Sequence, residues 1–145
     1  MVLGKKWEVY MNRLANVLLI AATLVPASAV GQVCAKQINV PEYPPLAWSA
    51  QWKGVVDLTV TIGAQGQVVS VDGSGRFPYL VEQAKKNVKE WLFCAPKNHE
   101  STHVQLRFDY RLEGARIYRP PTAKVVLDLG DATVLIKLPP PEPQP

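Results

Sequence analysis

The side chains of this chain with the most chemistry to offer are its two cysteines, Cys34 and Cys94, and its two histidines, His99 and His103. A Cys94–His103 pair could form a thiolate nucleophile, but a working pair needs a third group to orient the base, and the pattern supplies none. His99 and His103 lie four residues apart, the first in a polar loop and the second opening an alternating run. They therefore share no helix face, and no cysteine or acidic cluster completes a metal site around them. Ser49, Ser70, Ser74 and Ser101 stand in no nucleophile-elbow pattern. Gly73-Ser74-Gly75 is too short to cradle a phosphate. The residues point to docking, with no catalytic residue, no metal and no cofactor.

The first 29 residues read as a leader to be removed from the domain. Lys5, Lys6 and Arg13 form a basic lead, and Leu14 to Val25 is an apolar run interrupted by Asn16 and Thr23. Pro26 then precedes Ala27-Ser28-Ala29, the small residues that a signal peptidase reads. The expectation is cleavage after Ala29 and an exported domain; the alternative is an uncleaved anchor. Without residues 1–29 the formal charge falls from +4 to +2, since 13 Lys and Arg then face 11 Asp and Glu. So mild an excess is no nucleic-acid footprint. In an exported chain two thiols favour a Cys34–Cys94 disulfide. The alternative is two unrelated buried thiols.

Residues 30–42 read as an extended lead-in that Pro41 keeps from being helical. Pro44-Pro45 opens a short helix to about Trp52, and Gly54 stops it. Val56, Leu58, Val60 and Ile62 alternate with Asp57, Thr59 and Thr61, Gly63-Ala64-Gln65-Gly66 turns, and Val68 to Asp72 returns. Gly73-Ser74-Gly75 reads as a flexible break. From Pro78 to Trp91, Leu80, Ala84, Val88 and Trp91 make one apolar helix stripe. Lys85, Lys86 and Lys89 crowd the other face, either solvated or meeting a lipid or cell-wall surface.

The clearest strand runs from His103 to Leu112, with Val104, Leu106, Phe108, Tyr110 and Leu112 inward and His103, Gln105, Arg107, Asp109 and Arg111 outward. Tyr43 and Trp48 roof the core or offer contacts, and Trp52 and Trp91 read as structural. Residues 115–138 read as a linker followed by a hairpin, with Val125, Leu127 and Leu129 alternating, Gly130-Asp131 turning, and Val134, Ile136 and Leu138 alternating back. Pro139 to Pro145 reads as a polyproline II-like or disordered tail. The fold class is α+β: a small antiparallel sheet of three core strands plus a C-terminal hairpin, with one amphipathic helix packed on it and a short N-terminal helix.

Residues 43–114 resemble the TonB C-terminal domain. Tyr43-Pro44 with Leu46-Ala47 resembles that family's Tyr-Pro opening, Gly54-Val55-Val56 its Gly-x-Val strand start, and Gly66-Gln67-Val68 its Asp-Gly-x-Val turn, with Gln65 in place of the acidic residue. Asp72 to Gly75 stands where the family has a Ser-Gly turn. Trp91-Leu92-Phe93 with Pro96 is similar to Trp-x-Phe-x-Pro, one residue longer. The resemblance implies binding of the N-terminal peptide of an outer-membrane transporter, coupled to energy from the inner membrane. The peptide would add as a strand along Val104, Gln105, Leu106, Arg107, Phe108, Asp109, Tyr110, Arg111 and Leu112, with contacts from Tyr43 and Pro44. With the resemblance the exported domain is expected in the periplasm, or anchored in the inner membrane and facing the periplasm if the leader stays. Inner-membrane motor proteins or the cell wall as further partners, and a homodimer, are left open.

An energy transducer of this type has a long proline-rich spacer between its membrane helix and this domain. Here about a dozen residues separate Ala29 from Pro41, a reach of roughly 40 Å, and the prolines follow the domain. The expectation is a module that binds without transmitting force by itself. A second expectation is that the 124–138 hairpin covers its own sheet edge, making a self-capped structural or regulatory envelope protein.

Overall fold

A computed structural model describes residues 33–120 and 122–143. The leader, residues 1–29, lies outside the described residues. The described residues form seven strands and two helices: β1 Ala35–Gln37, α1 Pro45–Ser49, β2 Gly54–Ile62, β3 Val68–Gly75, α2 Pro78–Lys89, β4 Leu92–Phe93, β5 Thr102–Leu112, β6 Lys124–Asp128 and β7 Thr133–Leu138. Five strands build one sheet in the order β3-β2-β5-β7-β6, and β1 pairs with β4 in a separate two-stranded sheet. The expected α+β architecture is present, but the sheet expected to be antiparallel is mixed, because the C-terminal hairpin continues it with β7 parallel to β5.

The alternation in the sequence becomes three matched rows of side chains. Val56 lies opposite Phe108, which lies opposite Val134; Tyr110 stands beside Ile136, and Leu112 beside Leu138. Directly opposed residues share a face, so these positions pool into one core in which Val56, Leu58, Phe108, Val134 and Ile136 have at most 1 % of their surface exposed. The outer face is polar and carries cross-strand contacts: Arg107 Nε reaches Asp57 Oδ1 at 2.9 Å, and the Thr59 hydroxyl donates to Gln105 at 3.0 Å.

α2 buries Leu80, Val81, Ala84 and Val88 against this sheet. Its stripe is the one expected, though the helix ends at Lys89, leaving Trp91 to follow it. Gly73-Ser74-Gly75, expected as a flexible break, is instead the end of β3. Gly73 opposes Leu58 and Gly75 opposes Val56, both inward positions. A Cβ on Gly73 would come within 2.7 Å of Leu58 and 2.9 Å of Val81, so glycine here allows the helix to approach the sheet closely. The first helix also stops at Ser49, three residues before Trp52.

Gly66 has φ +89, and a Cβ there would meet the carbonyl oxygen of Phe93. The Phe93 N–H donates to Gly66 O at 2.9 Å, which ties the β2–β3 turn to β4. The neighbouring β1 is joined to the same region by the Cys34–Cys94 disulfide, with Cα atoms 5.4 Å apart, and by a hydrogen bond from Cys94 N–H to Cys34 O.

The described part of the tail is tied to the domain. Trp48 Nε1–H donates to Pro139 O at 2.7 Å, Ile117 N–H to Pro140 O, and Glu142 N–H to Ile117 O. Pro139 to Glu142 thus continues the line of β7 alongside residues 116–118. A proline segment has few donors to contribute, so its carbonyls are satisfied from outside by an indole and a backbone amide.

Candidate functional site

A sheet accepts an added strand only where main-chain N–H and C=O groups are unpaired. Both edges of β5 are therefore decisive. One side is taken by β2 along its length, Gly54 to Ile62 opposing Tyr110 to Thr102. The other side is shared. β7 lies parallel to β5 from Arg107 opposite Thr133 to Leu112 opposite Leu138, and the Arg107 and Glu113 amides donate to Ala132 O and Leu138 O at 2.9 and 3.0 Å.

Main-chain groups alternate sides along a strand. Because the odd-numbered amides at Arg107 and Glu113 point toward β7, those of His103 and Gln105 point the same way. Among the described residues no strand pairs with them. A cleft of about 390 Å³ opens at this point, lined by Asp57, Gln105, Leu106, Arg107 and the Asp131–Thr133 turn. β7 begins here because Asp128 Oδ1 accepts the amides of Gly130 and Asp131, and Ala132 takes φ 53. The turn was expected at Gly130-Asp131; the left-handed residue is Ala132, a type that the sequence does not mark.

The expected contact residues fall into three groups. Val104, Gln105 and Leu106 lie on the uncovered stretch of β5. Arg107, Phe108, Asp109, Tyr110, Arg111 and Leu112 lie where β7 is already paired. Tyr43 and Pro44 are buried and away from this edge, with the Tyr43 ring edge-on to Tyr110 at 5.5 Å and its hydroxyl donating to Trp52 O at 2.6 Å. Trp48 is likewise part of the core.

Charges border the covered stretch. Lys137 Nζ meets Glu113 at 2.8 Å, and Arg111 meets Asp109 at 2.7 Å. The Lys137 hydrogen bond holds the Glu113 carboxyl below its usual range. Its small contribution is present above the ordinary glutamate pKa and lost as the pH falls through the lower folded value.

Burial pushes the phenols of Tyr43 and Tyr110 well above their usual range, Tyr110 also feeling Tyr43 beside it. The unfolded chain releases these protons near pH 10, whereas the folded chain retains them. Stability is therefore undiminished below about pH 10 and falls above it, by up to about 1.4 kcal/mol per pH unit for each of the two. Tyrosinate absorbance followed with circular dichroism checks this. Titration of both near pH 10 in a chain that stays folded would contradict it.

His103 Nδ1 lies 3.1 Å from the Thr61 hydroxyl on the outer face. His99 occupies a turn at φ 56. No group of three potential metal-ligating side chains occurs among the described residues, and no helix among them is long and apolar enough to cross a membrane.

Among curated proteins and among solved structures, nothing matches the chain. The model of one family, the Gram-negative bacterial TonB protein C-terminal, matches residues 39–112. That span runs from the lead-in through the end of β5 and contains the whole β2–β3–α2–β4–β5 unit. It covers just over half of the sequence, and the chain belongs to the TonB C-terminal family.

Proposed function

We propose that this chain is a periplasmic docking module that receives the extended N-terminal peptide of an outer-membrane transporter, in the setting of energy-coupled transport across the outer membrane. The peptide adds as a strand to β5, using the main-chain groups of His103 and Gln105 that no strand among the described residues pairs, and the start of β7 limits how far it runs. The observation that carries this reading is the uncovered stretch Thr102–Leu106 beside the 390 Å³ cleft. Family membership supports the partner class, and the disulfide suits an oxidising compartment.

Gln105→Pro tests the reading. Its amide faces the open side, so proline removes a donor to the added strand without removing a main-chain hydrogen bond to β2 or β7, and the only further loss is the exposed side-chain contact with Thr59. Binding of N-terminal peptides from the host's outer-membrane transporters should fall at least tenfold, as read by calorimetry, with circular dichroism unchanged. Binding equal to the unmutated chain would rule out addition at this register.

A second reading, a self-capped structural or regulatory envelope protein, is favoured by a separate observation. Val134, Ile136 and Leu138 of β7 are buried to within 2 %, so the hairpin fills the core as well as lying along the edge. On that reading no transporter peptide binds the intact chain.

A further inference from the structure

Among the described residues β6 is the outermost strand of the sheet, next to β7. The β7 carbonyls at Ala132 and Leu138 point toward β5, so alternation turns Thr133, Leu135 and Lys137 toward β6, where they oppose Asp128, Val126 and Lys124. The main-chain groups of Val125 and Leu127 therefore point out of the sheet. Edge strands are commonly blunted by a proline, a bulge or an inward charge. From Lys124 to Asp128 there is no proline, and the register with β7 is unbroken. Val126 and Leu127 are instead 44 % and 37 % exposed.

The charges of β6 stand at its two ends with opposite sign. Reversing Lys124-Val125-Val126-Leu127-Asp128 and laying it beside itself about Val126 sets Lys124 opposite Asp128 of a second copy, and Val125 opposite Leu127. The outward-facing residues Val125 and Leu127 are then the ones that exchange main-chain bonds, about four in all. An ion pair closes each end, and Val126 meets its own copy on the axis. Leu129 O, which already accepts the Val33 amide at 3.1 Å, bounds the pairing on the side of the turn.

We propose that the outer edge of β6 is a self-association surface, on which two copies pair antiparallel about Val126 in an isologous, two-fold contact that joins their sheets. An unrelated extended peptide could take the same main-chain bonds. The complementary end charges and the apolar centre favour a second copy.

Sedimentation of the purified full chain across micromolar to millimolar concentrations should show a reversible monomer–dimer equilibrium. Lys124→Asp sets like charges opposite each other at both ends and should weaken the dimer about tenfold or more. Lys124→Asp with Asp128→Lys should restore it to within about threefold of the original. Val125→Pro removes an outward amide without touching the bonds to β7 and should leave a folded monomer by circular dichroism. A chain that stays monomeric throughout would overturn the proposal. So would a dimer indifferent to these substitutions, or a monomer whose β6 amides respond only to an added transporter peptide.

Discussion

Replacing Ile136 by alanine is expected to destabilise the folded chain by about 3 kcal/mol, within the range for truncating a fully buried aliphatic side chain. Ile136 has no exposed surface and lies beside Tyr110 in the row that crosses from β5 to β7. The well-packed neighbours on both sides leave little room for collapse, so most of the cavity should persist. Val126→Ala in the adjacent strand removes a side chain that is 44 % exposed, and should cost less than about 1 kcal/mol. Denaturant unfolding followed by tryptophan fluorescence separates the two. A single transition with the larger shift for Ile136→Ala makes the hairpin part of the same cooperative unit as the family domain. Equal, small shifts would make it an appendage. This also bears on deletion of residues 121–145, which removes Val134, Ile136 and Leu138 from the core and is therefore expected to unfold the chain rather than simply expose an edge.

Loss of the Cys34–Cys94 bond has an effect of similar size by another route. The bond spans 60 residues, and in the chain-entropy model its removal costs roughly 4 kcal/mol by releasing the unfolded chain. The folded geometry should survive, because Cys94 N–H already bonds Cys34 O and β1 pairs with β4. Cys34→Ser with Cys94→Ser should therefore show a native-like spectrum with a strongly lowered denaturation midpoint. Cys34 is exposed, so a mild reductant should produce the same shift in the unmutated chain. A midpoint unmoved by reduction would place the stabilisation elsewhere.

Local pattern made much of the fold legible. β2 and β5 follow from strict alternation, α2 from its four-four-three stripe, and the β6–β7 hairpin from two alternating runs around a turn. What local pattern could not carry was how the pieces meet. Gly73 and Gly75 look like a break until α2 is placed on them and a side chain would collide with Leu58 and Val81. β1 and β4 are too short to show a period. The parallel pairing of β7 with β5 joins segments separated in sequence, and nothing in either strand announces it.

The same limit applies to the site. Alternation identifies which β5 side chains face in or out, but the accessibility of its amides depends on which neighbour lies alongside. Two residues of one strand, Gln105 and Arg107, look equivalent in sequence, yet one amide faces a cleft and the other is bonded to Ala132. Tyr43 and Pro44 stand in a matching family motif, but their positions serve the core and the start of α1.

The most direct measurement is amide-resolved NMR of the intact chain titrated with an N-terminal transporter peptide. The account predicts that the amides of His103 and Gln105 shift and become protected from exchange, while those of Arg107, Asp109 and Arg111 keep their existing protection. Peptide binding that leaves His103 and Gln105 unchanged would contradict strand addition on the open stretch of β5.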